Sequence, residues 1–157
     1  LVQPGKAAPA ISLKDQDGKT QSLKDYKGQY VVLYFYPKDD TPGCTTEACQ
    51  FRDGIADFKK RNAVVLGVSP DDEKSHAKFA GKFSLLFPLL ADVEKKVCEK
   101  YGVWQEKQNY GKTYMGVVRT TYLIGPDGKI AFVWPKVSVK LHVDNIVKKL
   151  DELQSAK

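Results

Sequence analysis

Short apolar runs alternate along the chain with stretches of helical spacing. The clearest apolar run, Tyr30 to Tyr36, is apolar at every position and is followed by Pro37. A strand is apolar at every position when helices cover both faces of its sheet, so that neither face contacts water. Val64 to Val68 predicts a second buried strand, and Phe87 to Ala91 predicts a short third one. These runs predict the centre of a sheet.

Helical spacing follows each of these strands. Apolar residues recur at helical intervals from Thr45 to about Arg61, and basic residues in the last turn complement the helix dipole. The segment Ser69-Pro70-Asp71-Asp72-Glu73 offers an N-cap serine, a proline at the first helical position and early acids for a helix to about Phe83. We predict two further helices, one capped by Asp92 and ended by Gly102, and one from about Val139 to Leu153.

Two hairpins complete the pattern. The segment from Ile11 to Leu23 alternates apolar and polar residues around an Asp-Gly turn, and residues 120–124 and 129–133 flank a second turn. We predict a loop over residues 104–116. Strands that alternate with helices favour an α/β fold, with a mixed central sheet flanked by helices and an N-terminal β-hairpin extension. We predict a single domain over residues 1–157.

Composition narrows the class of protein. The chain has 157 residues, of which 42% are hydrophobic and 28% charged, as in ordinary globular proteins. No apolar run approaches the roughly 18–20 residues that span a bilayer, so we expect no membrane segment. The first ten residues lack the charged and apolar regions of a signal peptide. We therefore expect a soluble, cytoplasmic protein.

Charge and cysteine content exclude other classes. The net charge is +6, but the lysines are scattered among acids instead of forming a basic patch, so we expect no nucleic-acid partner. The three cysteines, Cys44, Cys49 and Cys98, are too few for a secreted disulfide framework. Their spacing matches none of the usual zinc-ligand patterns, so we expect no metal.

Cys44 lies where the central strand gives way to a helix. A thiol with the ordinary pKa of about 8.5 is only a few per cent thiolate at neutral pH, and the thiolate is the nucleophile. Unpaired N–H groups at the helix start face the sulfur, and the helix dipole adds about 0.3–1 kcal/mol. One pKa unit corresponds to about 1.36 kcal/mol, so an activated thiolate also needs a close cation.

Arg119 is the candidate cation. It precedes the apolar run Thr120 to Ile124, where an arginine is costly to bury unless it faces a partner; a surface salt bridge is the alternative. The hydroxyl of Thr41 is placed to hydrogen-bond the thiolate or an approaching oxygen atom, or it only caps the helix. Pro37 and Pro42 stiffen the loop and remove N–H donors, although either also suits an ordinary turn.

These residues resemble the pattern of a known family. The spacing of Pro37, Thr41 and Cys44, together with the segments Thr45-Thr46-Glu47-Ala48-Cys49 and Arg119-Thr120-Thr121-Tyr122-Leu123-Ile124, is similar to that of the peroxiredoxins. The resemblance is strongest to the bacterioferritin comigratory protein, or peroxiredoxin Q, branch. It extends from Gly5-Lys6-Ala7-Ala8-Pro9 to Gly111-Lys112-Thr113-Tyr114 and implies a thioredoxin-like fold.

The resemblance also implies a function for each residue. Cys44 would attack hydrogen peroxide or an organic hydroperoxide and become a sulfenic acid, with Pro37 in the catalytic loop. Thr41 and Arg119 would align the two oxygen atoms and stabilise the developing charge. Glu47 would orient Arg119, or it is a solvated helix charge. The resemblance implies no cofactor, a monomer, and thioredoxin or a similar dithiol as reductant in antioxidant defence.

Cys49 stands where many members of this branch carry the cysteine that resolves the sulfenic acid as an intramolecular disulfide. Five residues of α-helix separate Cα atoms by roughly 8–9 Å, whereas a disulfide requires less than about 7 Å. The helix must therefore unwind before the disulfide forms. Cys98 is predicted to be a buried, inert residue, with a second resolving cysteine as the alternative. His76 and His142 are predicted to lie at the surface.

Two other classes of function share part of this pattern. A thioredoxin-type dithiol oxidoreductase would normally carry Cys-x-x-Cys, whereas four residues separate Cys44 from Cys49. A peroxide sensor or chaperone would form the same sulfenic acid but pass the oxidation to a partner. Sustained peroxide consumption distinguishes a peroxidase from both.

Overall fold

A computed structural model of the chain describes residues 1–156. Its strands are β1 Ser12–Lys14, β2 Thr20–Ser22, β3 Tyr30–Phe35, β4 Ala63–Ser69, β5 Leu89–Ala91, β6 Trp104–Asn109, β7 Lys112–Val117, β8 Thr120–Ile124 and β9 Ile130–Trp134. Its helices are α1 Pro42–Asp53, α2 Ile55–Lys60, α3 Glu73–Phe83, α4 Lys96–Lys100 and α5 His142–Ser155. A 3-10 turn spans Leu23–Tyr26. None of the helices in residues 1–156 is long and apolar enough to cross a bilayer.

A five-stranded mixed sheet forms the centre of the molecule, in the order β5-β4-β3-β8-β9. Strands β3, β4 and β5 are parallel, and β8 and β9 run antiparallel to their neighbours. Strands β1 and β2 pair as the N-terminal hairpin. The predicted α/β architecture, with its mixed sheet and N-terminal hairpin, is confirmed.

Alternate residues of β3 serve two separate cores. The side chains of Val32 and Tyr34 point to one face of the sheet, where α1, α2, α3 and α5 cover them. Those of Leu33 and Phe35 point to the other face, which is covered by α4 and the segment around Ile11. Every residue of β3 is buried, as its continuous apolar run predicts.

The helix predicted from Thr45 to Arg61 is two helices. Gly54 separates α1 from α2, and α5 packs closely at this point: a Cβ on Gly54 would lie 3.0 Å from Cγ1 of Val143. The next helix also starts later than predicted. Ser69 is the last residue of β4, and Asp72 is the N-cap of α3, where its carboxylate accepts a hydrogen bond from the Ser75 N–H at 2.8 Å.

The prediction of a loop over residues 104–116 is wrong. Strands β6 and β7 form a separate two-stranded ribbon that turns at Tyr110 and Gly111, both with positive φ, as a tight hairpin turn requires. Most residues of the ribbon are exposed or half-buried, so neither face requires apolar residues at alternate positions. The sequence therefore lacks the alternation of apolar and polar residues that would have predicted these two strands.

Both histidines are buried, so the prediction that they lie at the surface is also wrong. His76 is fully buried in α3, where Nδ1 lies 2.7 Å from Oδ2 of Asp39. His142 is buried at the start of α5, with Nε2 2.8 Å from Oγ1 of Thr121. Both partners are distant in sequence, so local spacing gives no sign of them.

Candidate active site

The register of the central sheet brings Arg119 to the loop that precedes Cys44. Strand β3 pairs antiparallel with β8, and Phe35 at the end of β3 faces Thr120 at the start of β8. The residue before Thr120 therefore lies beside the residue after Phe35, where the chain leaves the sheet and enters the loop. Two segments about 85 residues apart in sequence therefore meet at one end of the two central strands.

Cys44 occupies the first turn of α1. Thr41 is the N-cap, with extended φ and ψ angles, and Pro42 stands at the first helical position, where its lack of an N–H costs nothing. The Cys44 side chain is 2% exposed and packs with the core residues beneath α1. The sulfur is therefore almost inaccessible to solvent in this conformation.

The guanidinium group of Arg119 bridges Cys44 and Glu47. Its Nη2 donates to Sγ of Cys44 at 3.3 Å, and its Nη1 donates to Oε1 of Glu47 at 2.6 Å. Cys44 and Glu47 are three residues apart on α1, so both side chains lie on the same face of the helix. The planar fork of arginine contacts both at once, which a point charge such as lysine does not do.

Burial and charge act in opposite directions on Glu47 and Arg119. Burial raises the pKa of Glu47 to about 7, although the adjacent guanidinium favours the carboxylate. Burial lowers the pKa of Arg119, but the charges of Glu47 and Cys44 outweigh it, so its pKa is raised. Arg119 therefore remains a cation beside the sulfur. The alternative that Glu47 is a solvated helix charge is wrong, since its side chain is fully buried.

Tyr34 lies in the core on the same face of the sheet as α1. Burial raises the pKa of its phenol well above the ordinary value, and the negative charges of Glu47 and Cys44 add to this effect. Among residues 1–156, neither the Tyr34 hydroxyl nor Oε2 of Glu47 has a hydrogen-bond partner. The carboxylate is thus held on one side only, by Arg119.

The Thr41 hydroxyl bonds to its own loop and does not cap α1. Its hydroxyl donates to the Lys38 carbonyl at 2.9 Å and forms no side-chain cap bond to α1. The alternative that Thr41 only caps the helix with its side chain is therefore wrong, and its oxygen lone pairs are left to accept a hydrogen bond. Pro37 is half-buried at the start of the same loop.

The other two cysteines have different surroundings. Cys49 is half-buried on the same unbroken helix as Cys44, and both thiols are free. Cys98 is fully buried, and burial together with Asp92 raises its pKa far above the ordinary value for a thiol. Among residues 1–156, the one cluster of metal-ligand types is Asp39, Asp71 and His76, and it contains no cysteine.

Comparison with known proteins decides the family. The model of the AhpC/TSA family matches residues 4–133, a span that contains Cys44 and Arg119. Peroxiredoxin Bcp of Bacillus subtilis (strain 168) is 49% identical over 152 residues, which cover 97% of each chain. This chain is a peroxiredoxin of the AhpC/TSA family. It is therefore a thiol peroxidase, an oxidoreductase.

Other relatives place this peroxiredoxin in the Bcp, or peroxiredoxin Q, branch. Peroxiredoxin Bcp of Escherichia coli (strain K12) is 45% identical and covers 96% of this chain and 97% of its own. A serine variant of PrxQ from Xylella fastidiosa superposes with a TM-score of 0.93 at 36% identity over 98% of both chains. Bacterioferritin comigratory protein of Xanthomonas campestris superposes with a TM-score of 0.89 at 37% identity, covering 96% of this chain and 98% of its own. The thioredoxin-like fold is confirmed.

Proposed function

We propose that Cys44 is the cysteine that attacks the peroxide, in a site completed by Arg119, Thr41 and Pro37. The observation that carries the proposal is the 3.3 Å contact from Nη2 of Arg119 to Sγ of Cys44. The contact puts a cationic hydrogen-bond donor directly beside the sulfur that would attack. No other cysteine of residues 1–156 is hydrogen-bonded to an arginine side chain.

The proposed step is a displacement at oxygen. The Cys44 thiolate attacks the terminal oxygen of the peroxide, so that an S–O bond forms while the O–O bond breaks. The second oxygen leaves with the electron pair, takes up a proton and departs as water or an alcohol. Arg119 stabilises the charge on that oxygen, and the lone pairs of Thr41 accept a hydrogen bond from the peroxide. Pro37 has no N–H to attract water to the loop.

Hydrogen peroxide and small organic hydroperoxides are the proposed substrates. Only the terminal oxygen has to reach the buried sulfur, so an alkyl group on the other oxygen is compatible with the site. The bacterioferritin comigratory protein of Xanthomonas campestris has alkyl peroxide reduction activity. The reaction needs no metal or organic cofactor, because sulfur itself accepts the oxygen.

Cys49 is the proposed resolving cysteine. Its thiolate attacks the sulfenic sulfur of Cys44, a disulfide forms, and the hydroxyl leaves as water after taking a proton. Both cysteines lie on α1, whose geometry separates their Cα atoms by roughly 8–9 Å. The first turns of α1 must therefore unwind before the bond forms.

Thioredoxin, or a similar dithiol, is the proposed reductant of the disulfide. Cys44 is almost fully buried in the folded site, whereas an unwound α1 exposes the disulfide to an external thiolate. Because both cysteines belong to one chain, catalysis does not require a second subunit, and we propose a cytoplasmic monomer that acts in antioxidant defence.

Single-turnover peroxide reduction tests this proposal. Wild type and Cys49→Ser should each consume peroxide in the absence of reductant, and Cys44→Ser should consume almost none. Sustained consumption with thioredoxin, thioredoxin reductase and NADPH should require both Cys44 and Cys49. Undiminished turnover by Cys44→Ser would remove the proposed role of this residue.

A further inference from the structure

A buried hydrogen-bond network converges on Asp39, in the loop before the attacking cysteine. Oδ1 of Asp39 accepts from the Tyr36 hydroxyl at 2.6 Å, and Oδ2 accepts from the Ser75 hydroxyl at 2.8 Å. Oδ2 also lies 2.7 Å from Nδ1 of His76, and the Asp39 N–H donates to Oδ2 of Asp71 at 2.8 Å. The loop is thereby joined to the start of α3.

The contacts of His76 fix where its protons lie. Nε2 is 3.0 Å from the Leu90 carbonyl, which accepts hydrogen bonds and cannot donate one, so Nε2 carries a proton. Nδ1 is 2.7 Å from a carboxylate oxygen of Asp39, and a contact of this length also contains a proton. His76 therefore connects the loop on one side to strand β5 on the other, through the two nitrogens of one buried ring.

The same loop is strained and is tied to α3 a second time. Asp40 has a φ of 57°, in the left-handed region that most residues avoid. Its carboxylate accepts from Nζ of Lys82, near the end of α3, at 2.9 Å. This second contact is exposed, whereas the contact between Asp39 and His76 is buried and does not compete with water. The buried pair is the stronger anchor of the loop.

We propose that His76 is a positioning residue for the peroxidase reaction. Through Asp39 it holds the loop of residues 37–41, and with it Thr41, against α3 while the first turns of α1 unwind. The inference rests on the proposed function, because it assigns a fixed part and a moving part to that site. His76 touches neither peroxide nor sulfur and acts only through Asp39.

The C-terminal end of α1, beyond the turns that unwind, is also held in place. Phe51 is fully buried, and Nη1 of Arg52 donates to the Phe83 carbonyl at the end of α3 at 2.8 Å. Helix α3 thus holds the chain on both sides of the two cysteines. Unwinding is confined to the turns between these anchors, and the loop is in place again when the disulfide is reduced.

Two substitutions of His76 separate its two contacts. The amide nitrogen of asparagine reaches about as far as Nδ1, so His76→Asn keeps the bond to Asp39 and loses the bond to Leu90. The amide of glutamine reaches about as far as Nε2, so His76→Gln keeps the bond to Leu90 and loses the bond to Asp39. Val103→Ala, in the core on the other face of the sheet, serves as a control for a general loss of stability.

The decisive measurement is the second-order rate constant for Cys44 oxidation by hydrogen peroxide, with the rate of disulfide formation measured alongside. His76→Gln should oxidise about tenfold more slowly or worse, because a displacement of about 1 Å in a positioning group costs up to about 10²-fold. Its disulfide formation should not be slowed. His76→Asn and Val103→Ala should oxidise at close to the wild-type rate. Equal losses in both His76 variants would overturn the inference.

A measurement on the wild-type protein needs no variant. The proton between Nδ1 of His76 and Asp39 should give a strongly downfield resonance in the reduced protein, and it should persist after peroxide has formed the disulfide. The second histidine, His142, is distinguishable because burial lowers its pKa to about 4 and leaves it neutral. Loss of the resonance on oxidation would overturn the inference, whereas a wild-type protein that fails to oxidise at Cys44 would overturn the proposed function instead.

Discussion

Arg119 and Cys44 are 75 residues apart in sequence, and Nη2 of the arginine lies 3.3 Å from Sγ of the cysteine. The antiparallel pairing of β3 with β8 creates this contact, and Glu47 holds the other side of the guanidinium. A helix N-terminus alone contributes less than one pKa unit to a thiolate. The candidate site therefore depends on the strand pairing of the sheet as well as on the loop.

Arg119→Ala should slow the oxidation of Cys44 by about 10²–10³-fold, the usual cost of removing one donor that stabilises developing charge. Arg119→Lys should lose less, because it keeps the charge but cannot contact Cys44 and Glu47 together. Stopped-flow oxidation with hydrogen peroxide measures both. Arg61→Ala, which removes a surface pair with Asp151, is the control and should leave the rate unchanged. An unaffected rate in Arg119→Ala would contradict the site.

Glu47 should give the oxidation rate a dependence on pH near 7. The carboxylate form holds Arg119, and the pKa of Glu47 is raised by burial to about 7. The rate should therefore rise as pH increases through this value, and Glu47→Gln should lack this component. Glu106→Gln, an exposed position on β6, is the matched control. An identical pH profile in wild type and Glu47→Gln would rule out this role of the carboxylate.

Glu47 should also make the free energy of unfolding depend on pH, in a direction that the shift of its pKa determines. The folded state binds the Glu47 proton more tightly than the unfolded chain, because the pKa is raised from 4.5 to about 7. This stabilising contribution is complete below the unfolded pKa and is lost as pH rises through about 7. Urea unfolding should show the stability of wild type falling relative to Glu47→Gln over that range. A rise in relative stability would show that the ion pair outweighs burial.

Stabilising the first turns of α1 should slow disulfide formation. Alanine is favoured over threonine in helices by up to about 0.7 kcal/mol, so Thr45→Ala with Thr46→Ala should add roughly 1 kcal/mol to the helix. The disulfide should then form about fivefold more slowly, since 1 kcal/mol is a factor of about five in an equilibrium. Oxidation of Cys44 should be unchanged. Thr113→Ala in the exposed ribbon is the control, and an equal effect there would contradict the unwinding step.

Cys49, and not Cys98, should resolve the sulfenic acid. Cys98 is fully buried, and burial and Asp92 raise its pKa, so it rarely forms a thiolate. Peptide mapping after peroxide treatment should find a bond between Cys44 and Cys49 in wild type and in Cys98→Ser. Cys49→Ser should leave Cys44 as an unresolved sulfenic acid. A dominant bond between Cys44 and Cys98 would reverse the assignment.

Local signals in the sequence predicted much of the fold. The strand from Thr120 to Ile124 is where its apolar run predicts it, and β3 is buried on both faces as expected. The exposed ribbon of residues 104–117 was not predicted, because a strand pair without a buried face does not alternate apolar and polar residues. The break at Gly54 was not predicted, because a single glycine within a helical apolar pattern is also compatible with an unbroken helix.

Some residues of the candidate site were predictable from the sequence, and others depend on contacts between distant segments. Cys44, Thr41 and Pro37 are close in sequence, and Arg119 stood out as a cation at the edge of an apolar run. The surroundings of His76 could not be predicted, because Asp39 lies 37 residues away and the two meet only when α3 packs on the loop. The contact of Glu47 with Arg119 likewise joins residues that are 72 apart in sequence.

The most direct test of the account uses a protein in which Cys44 is the one cysteine left, made by Cys49→Ser with Cys98→Ser. After treatment with one equivalent of hydrogen peroxide, mass spectrometry of the trapped protein should find one added oxygen atom on Cys44. The same protein with Arg119→Ala should remain largely unmodified over the same time. An unmodified Cys44, or equal oxidation with and without Arg119, would contradict the account.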